Sequence, residues 1–127
     1  MIPTYVFDTG ALISAERGKQ RATRFLQLVR AGRARIVVPL PVVAEWWRGR
    51  TDVRDEVLAS TQIVGTVEIM KAAGTALARA KNVDAKLTLD AIVMATAALL
   101  GAVVVTGDAE DFEKLAIHFS GVPVLAV

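Results

Sequence analysis

The sequence predicts an α/β domain built on a parallel sheet, and three observations carry that expectation. Short apolar runs at 5–7, 36–38 and 102–106, rich in valine and isoleucine, have the length of strands. Between them lie longer stretches whose apolar residues recur at helical spacing, so strand and helix alternate along the chain. The strand candidates are apolar throughout, and 54% of all residues are hydrophobic, which suits a sheet covered by helices on both faces. With 127 residues the chain is expected to fold as one domain, 1–127, large enough to bury a core without disulfides or structural metal.

Taken in order, residues 2–7 form the first strand, ended by Asp8-Thr9-Gly10. Residues 11–16 and 20–31 are helical; in the second, Phe25, Leu26, Leu28 and Val29 make the apolar side, and Gly32 stops it. Residues 35–38 are the second strand, after which Pro39-Leu40-Pro41 leads into a helix with Pro41 in its first turn and Glu45 about one turn inside. Thr51-Asp52 can cap a helix reaching 59, and 62–65 is a short strand. Residues 68–80 form an alanine-rich helix with Ile69, Ala73, Ala76, Leu77 and Ala80 on one side, followed by a polar connection at 82–86. The most apolar helix covers 88–100, Gly101 ends it, and 102–106 is the strongest strand. A helix at 108–117 and a last strand at 122–125 complete the chain; Pro123 marks that strand as an edge. Right-handed crossovers follow from the alternation, and no linker or internal repeat interrupts it.

Composition narrows the functional classes. No cysteine is present, which removes disulfides and thiolate metal sites and fits a reducing cytoplasm. The N-terminus lacks the basic region and long apolar run of a signal peptide. The stretch 91–105 is too short for a membrane span, which needs about 18 apolar residues; it is flanked by Asp90 and Asp108 and broken at Gly101. A cytoplasmic protein with no membrane attachment is expected. Net charge is only +2, but residues 17–44 hold seven basic residues and no acid. Arg17, Arg21 and Arg24 follow i, i+4, i+7 spacing and are expected to line one helix face. Such a face is often only a solvated surface; beside an acidic pocket it would serve as a nucleic-acid-binding flank.

Four acids carry the chemical expectation: Asp8, Glu45, Asp90 and Asp108. Each follows an apolar segment or sits in the helix after one, and the carboxyl ends of parallel strands open onto the ligand crevice. Carboxylates converging there raise one another's pKa unless a cation neutralises them, and hard oxygen donors suit Mg²⁺ or Mn²⁺. Asp8, Asp90 and Asp108 are the candidate metal ligands, with Glu45 holding a second ion or orienting water. Asp8 by itself also reads as a helix-capping turn residue. An aspartic protease would need a second equivalent aspartate on an all-β scaffold. A haloacid-dehalogenase-type phosphatase would need an acid where Gly10 stands. A response-regulator receiver would need an acidic pair at the first strand and a lysine after its last strands.

Glu45 follows three apolar residues and precedes Trp46 and Trp47, so its helix is expected to be buried. Adjacent tryptophans cannot both face one core, which places one of them at a surface. Asp90 would also gain from a helix N-terminal dipole. Gly107 would let backbone approach a ligand at Asp108, and Asp111 has the spacing of a capping partner. Asp111, Thr106 and Thr9 are secondary candidates, Thr106 as a donor to a neighbouring carboxylate; Asp84 is a weaker one. His118, the single histidine, is expected to be structural.

Individually these signals are weak; their order is not. Val6-Phe7-Asp8-Thr9-Gly10-Ala11-Leu12, Val43-Ala44-Glu45, Leu89-Asp90-Ala91-Ile92-Val93-Met94-Ala95-Thr96-Ala97 and Val104-Val105-Thr106-Gly107-Asp108-Ala109-Glu110-Asp111-Phe112 together make the chain resemble the PIN-domain ribonucleases, in particular the VapC-type toxins of bacterial toxin–antitoxin pairs. The resemblance spans nearly the whole length. It departs at Gly10, where serine is common, at the tryptophan pair, and at Asp108, where some members carry asparagine. It implies a five-stranded parallel sheet with helices on both faces and Mg²⁺- or Mn²⁺-dependent endoribonuclease activity on single-stranded RNA. A cognate antitoxin entering the acidic site and a homodimer are also implied. A non-catalytic PIN-like binding module and a structure-specific DNA nuclease are the alternatives.

Overall fold

The computed structural model describes residues 1–80 and 85–127. Among them five strands, β1 (Thr4–Phe7), β2 (Arg35–Pro39), β3 (Gln62–Val64), β4 (Val103–Thr106) and β5 (Val124–Ala126), pair in parallel in the order β3-β2-β1-β4-β5. Register is fixed through the centre by Val6 opposite Val37 on β2 and Val104 on β4. The helices are α1 (Thr9–Glu16), α2 (Gln20–Arg30), α3 (Leu40–Trp46), α4 (Asp52–Ala59), α5 (Val67–Arg79), α6 (Ala85–Leu100) and α7 (Ala109–Glu113).

From β1 to β3 the chain steps one way across the sheet, and from β3 to β5 it steps back. Right-handed crossovers therefore place α1 to α4 on one face and α5 to α7 on the other. The packing agrees: α6 lies across β1, β2 and β4 with α5 against it, while α1 contacts β1 and β4 and gathers α2, α3 and α4 around itself. The order reverses between β1 and β4, and in open α/β sheets ligand crevices form at that switch point.

Burial on both faces explains the unbroken apolar strands. Val6, Phe7, Val104 and Val105 are fully enclosed. The ring of Phe25 on α2 meets Phe7 edge-on at 5.8 Å and Tyr5 at 4.7 Å, the T-shaped geometry that ring quadrupoles favour. On the opposite face Ala91, Ala95 and Ala97 let α6 approach its neighbours closely. Thr96, the buried polar residue of that helix, satisfies itself by donating to the Ile92 carbonyl at 2.7 Å. Pro123 lies just before edge strand β5, where a missing N–H is harmless, and its carbonyl accepts from Val104 at 2.9 Å.

Three expectations are corrected. The helix expected over 108–117 is short: α7 ends at Glu113 and a 3-10 turn, Ala116–His118, follows. Leu115 and Phe119, both buried, flank that turn and anchor its two ends in the core. The helix α6 begins at Ala85, three residues before expected, so it takes over part of the connection placed at 82–86; the rest of that connection, with Asp84, lies outside the described residues. Arg17 is not on the helix of Arg21 and Arg24: it caps α1, and Gly18, in a left-handed conformation (φ 72°), turns the chain before α2 starts. Among the described residues no helix is long and apolar enough to cross a membrane.

The close packing of α6 gives a direct test. Ala95→Leu inserts volume at a fully enclosed position, and we expect a loss of about 1–3 kcal/mol in chemical denaturation. Unchanged stability would mean that the interface has room.

Candidate active site

At the carboxyl edge, where β1 and β4 part, a cavity of about 430 Å³ opens. Asp8, Glu45, Asp90, Asp108 and Asp111 all line it, together with Thr9 and Gly10. Acids separated by up to about a hundred residues of sequence are thus assembled because the end of β1, the end of α3, the start of α7 and the second turn of α6 meet at one place.

Asp8 is the most enclosed of them, at 8% exposure. Its Oδ1 accepts from the Ala11 N–H at 2.8 Å, so it does cap α1, and it also receives the Gly107 N–H at 3.4 Å. Its Oδ2 accepts from the Thr106 hydroxyl, whose oxygen in turn accepts the Asp108 N–H at 2.9 Å. Thr106 is therefore the donor expected of it, and it couples the two strand-end aspartates. Burial pushes the Asp8 carboxyl above the usual aspartate range. The bonds from Thr106, Ala11 and Gly107 oppose that rise, and the nearby Glu45 charge adds to it.

The glycines beside these acids serve each other. A Cβ on Gly10 would stand 3.0 Å from the Gly107 Cα, and one on Gly107 would stand 3.0 Å from the Gly10 Cα. Backbone meets backbone here, so Gly107 makes room for Gly10, and both residues also line the cavity. The departure at Gly10 also has a steric reason: a serine there would press on Gly107.

Glu45 corrects a further expectation. It is exposed, and it sits next to last in α3 rather than buried one turn inside. Val42 and Trp46, one turn apart, are the residues that α3 buries, and Glu45 falls on the open side over the cavity. An acid at the carboxyl end of a helix gains nothing from the dipole, so its charge is available to the site.

Trp46 shows what the tryptophan pair does. Its indole N–H donates to Glu16 Oε1 at 3.1 Å, while Arg54 grips Glu16 Oε2 through Nε at 3.0 Å and Nη2 at 2.9 Å. Arg54 also donates to the Gly49 carbonyl at 2.8 Å. One partly buried carboxylate thus ties the end of α1 to the end of α3 and to α4, and it holds the segment from which Glu45 projects. Trp47 packs edge-on against Trp46 at 5.9 Å and is half-buried. Nothing in the sequence pattern linked residues 16, 46 and 54; a glutamate at the end of an otherwise apolar helix was the available signal.

Asp90 is half-buried and more than a turn inside α6, which has no acid in its first turn, so the dipole explanation does not apply to it. Asp108 occupies the N-cap position of α7 without a side-chain cap bond, so it does not form the expected capping pair with Asp111. Asp111 is half-buried, with one carboxylate oxygen shielded from solvent. Arg17 and Lys19 line the cavity; Arg21 and Arg24 are exposed on α2 and do not. His118 lies elsewhere, beside Phe119 at a second cavity, so no imidazole is available to the carboxylates.

The donor set fits a hard divalent cation. All the donors are carboxylate oxygens around one cavity, and one of them is held desolvated. Among the described residues no three acids close into a cage on their own. That arrangement is compatible with Mg²⁺, which keeps several waters, so that some of the carboxylates would hold it through those waters rather than directly.

Fold and site together define a doubly wound α/β domain with a carboxylate-lined crevice at its switch point. The chain belongs to the PIN-domain family, whose model matches residues 5–117. No curated protein matches its sequence. Similar solved structures include VapBC2 from Rickettsia felis bound to a DNA fragment from their promoter, with a TM-score of 0.71 and 15% identity over 98% of each chain. DNA-bound VapBC from Salmonella typhimurium gives 0.67 and 17%, covering 99% of this chain and 98% of that one. FitAcB from Neisseria gonorrhoeae gives 0.62 and 16%, covering 95% and 96%. At such identities the likeness is one of fold.

Two predictions follow from this geometry. Because the folded Asp8 carboxyl titrates above its unfolded value, the native state binds that proton more tightly, and stability falls as pH rises through the interval above the ordinary aspartate range. Asp8→Asn removes that loss, so its stability relative to the parent should improve as pH is raised through the interval in metal-free buffer. A difference that stays flat would show that burial does not raise this carboxyl. Trp46→Phe keeps the ring and deletes the N–H to a charged acceptor, and urea titration should show a loss of about 1.5–3 kcal/mol, near the lower end because Glu16 is partly solvated. Parental stability would rule out the Trp46–Glu16 tie.

Proposed function

We propose that this PIN domain is a Mg²⁺- or Mn²⁺-dependent endoribonuclease acting in the cytoplasm as the toxin of a type II toxin–antitoxin pair. The observation that carries the reading is the gathering of Asp8, Glu45, Asp90 and Asp108 around one cavity at the switch point. Asp8, Asp90 and Asp108 would hold the metal, which when bound supplies an acidified water and neutralises charge on a phosphoryl group. Thr106 orients the Asp8 carboxylate through its hydroxyl and carries the backbone of Asp108, so the two ligands are set as a unit. Glu45, on its solvent-facing side of the cavity, accepts a proton or orients the attacking water. Asp111 and Thr9 border the same space in secondary roles, and Arg21 and Arg24 extend a basic surface along α2 for the RNA backbone.

The toxin reading is supported by the likeness to VapBC and FitAcB, whose names describe complexes rather than lone chains. A cognate antitoxin that inserts into the acidic cavity, and a homodimer of this chain, belong to the same reading.

The test is cleavage of single-stranded RNA by purified protein with Mn²⁺ or Mg²⁺ and with EDTA as control. Asp8→Asn, Asp90→Asn and Asp108→Asn are each expected to keep the fold and lose cleavage by a factor of 100 or more, about 2.7 kcal/mol in the barrier. Independently of activity, Mn²⁺ should raise the melting temperature of the parent and leave that of Asp8→Asn unmoved. Full cleavage by a folded variant would remove that residue from the machinery. RNA binding without metal-dependent cleavage would favour a binding module, and preference for branched DNA would favour a structure-specific DNA nuclease.

A further inference from the structure

We propose that Arg17 and Lys19 form a phosphate subsite on the rim of the acidic cavity, holding the RNA backbone beside the phosphate that is cut. The inference rests on the nuclease reading for its substrate and on three separate observations for its place.

The first is position. Of the seven cations between residues 17 and 44, only Arg17 and Lys19 line the cavity that also holds the carboxylates. They come from the tight turn between α1 and α2, where the N–H groups of Arg17, Gly18 and Lys19 return to the carbonyls of Ile13, Ala15 and Ser14 at 3.0, 3.1 and 3.0 Å. That turn fixes both side-chain origins at the cavity mouth.

The second is pairing. Among the described residues neither side chain makes an ion pair or a hydrogen bond, although five carboxylates line the same cavity. The two cations are not there to neutralise the acids. Opposite charges that share a cavity without bridging leave space between them for a ligand carrying both kinds of partner. A phosphodiester chain is such a ligand: one phosphate meets the cations, and the next meets the metal held by the acids.

The third is a local rule that the sequence breaks. Lys19 occupies the N-cap of α2 and makes no side-chain cap bond. Serine, threonine, aspartate or asparagine at that position would contribute about 0.5–2 kcal/mol by accepting an orphan N–H. A lysine cannot accept, so helix stability is given up at the residue that faces the cavity, which is where functional demands override local preference. An antitoxin presenting acidic side chains is the other class of partner that the pair could meet. The carboxylates that share the cavity with the cations would repel an acidic peptide, whereas a phosphodiester chain can meet the cations with one phosphate and a metal held by the acids with the next.

The experiment measures binding of a fluorescein-labelled 12-nucleotide single-stranded RNA to the full chain in EDTA, over a range of salt concentrations. Arg17→Gln/Lys19→Ser is compared with the parent and with Arg30→Gln/Arg33→Gln, two exposed cations away from the cavity. Loss of two phosphate contacts from a single strand should lower the slope of log affinity against log salt by about 1.4. Affinity should drop about two- to fivefold per charge, with no change for the control pair. Lys19→Ser alone should melt at a higher temperature than the parent while binding RNA less well, a combination that damage to the fold does not produce. An unchanged slope in the double variant would overturn the subsite. So would tight capture of a decaglutamate peptide at this turn with RNA binding unaltered. Cleavage with Mn²⁺ is scored separately: a shifted slope without cleavage would sink the nuclease reading and leave the subsite, and cleavage with an unshifted slope would do the reverse.

Discussion

The site depends on one desolvated carboxylate that the fold cannot release. Asp8 ends β1, starts α1 through the Ala11 N–H, and reaches across to β4 through Thr106 and Gly107. A carboxylate taken out of water is costly unless donors replace the solvent. The donors that replace it come from the first turn of α1 and from the end of β4, so satisfying the charge and assembling the edge of the sheet are the same event. The backbone contact of Gly10 with Gly107 makes the assembly tight, since a Cβ on either residue would push the two turns apart. Three donors lower the cost of ionisation without cancelling it, and the remaining imbalance, with Glu45 nearby, is what a cation would relieve.

The second constraint acts at the opposite wall. The helix α3 is only seven residues long, too short to be stable through its own hydrogen bonds. It is held instead by Val42 and Trp46 in the core and by the bond from Trp46 to Glu16. Because Glu16 is clamped by Arg54, the anchor also draws in α4. Glu45 can stay exposed while its backbone is fixed from the side facing away from the cavity. Trp46 thus has a local role: it donates to the Glu16 oxygen that Arg54 leaves open.

How much of this was legible in the sequence follows from which forces act locally. The alternation of elements, the Thr51 cap, the edge position of the last strand and the convergence of the acids could be read, because apolar period, turn residues and strand-end chemistry are encoded within short windows. The apolar neighbours of Glu45 suggest a wholly buried helix, but the pair Val42 and Trp46, one turn apart, marks the buried side and leaves Glu45 outside it. The spacing of Arg17, Arg21 and Arg24 suggests one basic face, but it runs across Gly18, where the chain leaves the helical path. The glutamate clamp and the contact of Gly10 with Gly107 were not legible at all. Both join residues far apart in sequence, and neither leaves a periodic trace.

The misreading of the basic face also changes what the charge distribution means. A continuous stripe of arginines on one helix would act as a diffuse attractor, raising encounter rates with any polyanion and discriminating little. Split by the turn, the cations fall into two sets: Arg21 and Arg24 outside on α2, and Arg17 and Lys19 at the cavity. Only the second set has a fixed relation to the carboxylates, so only it can help decide which phosphate lies over them. On the proposed reading, the carboxylates alone would repel a phosphate backbone, and the two cations on the rim offset that repulsion.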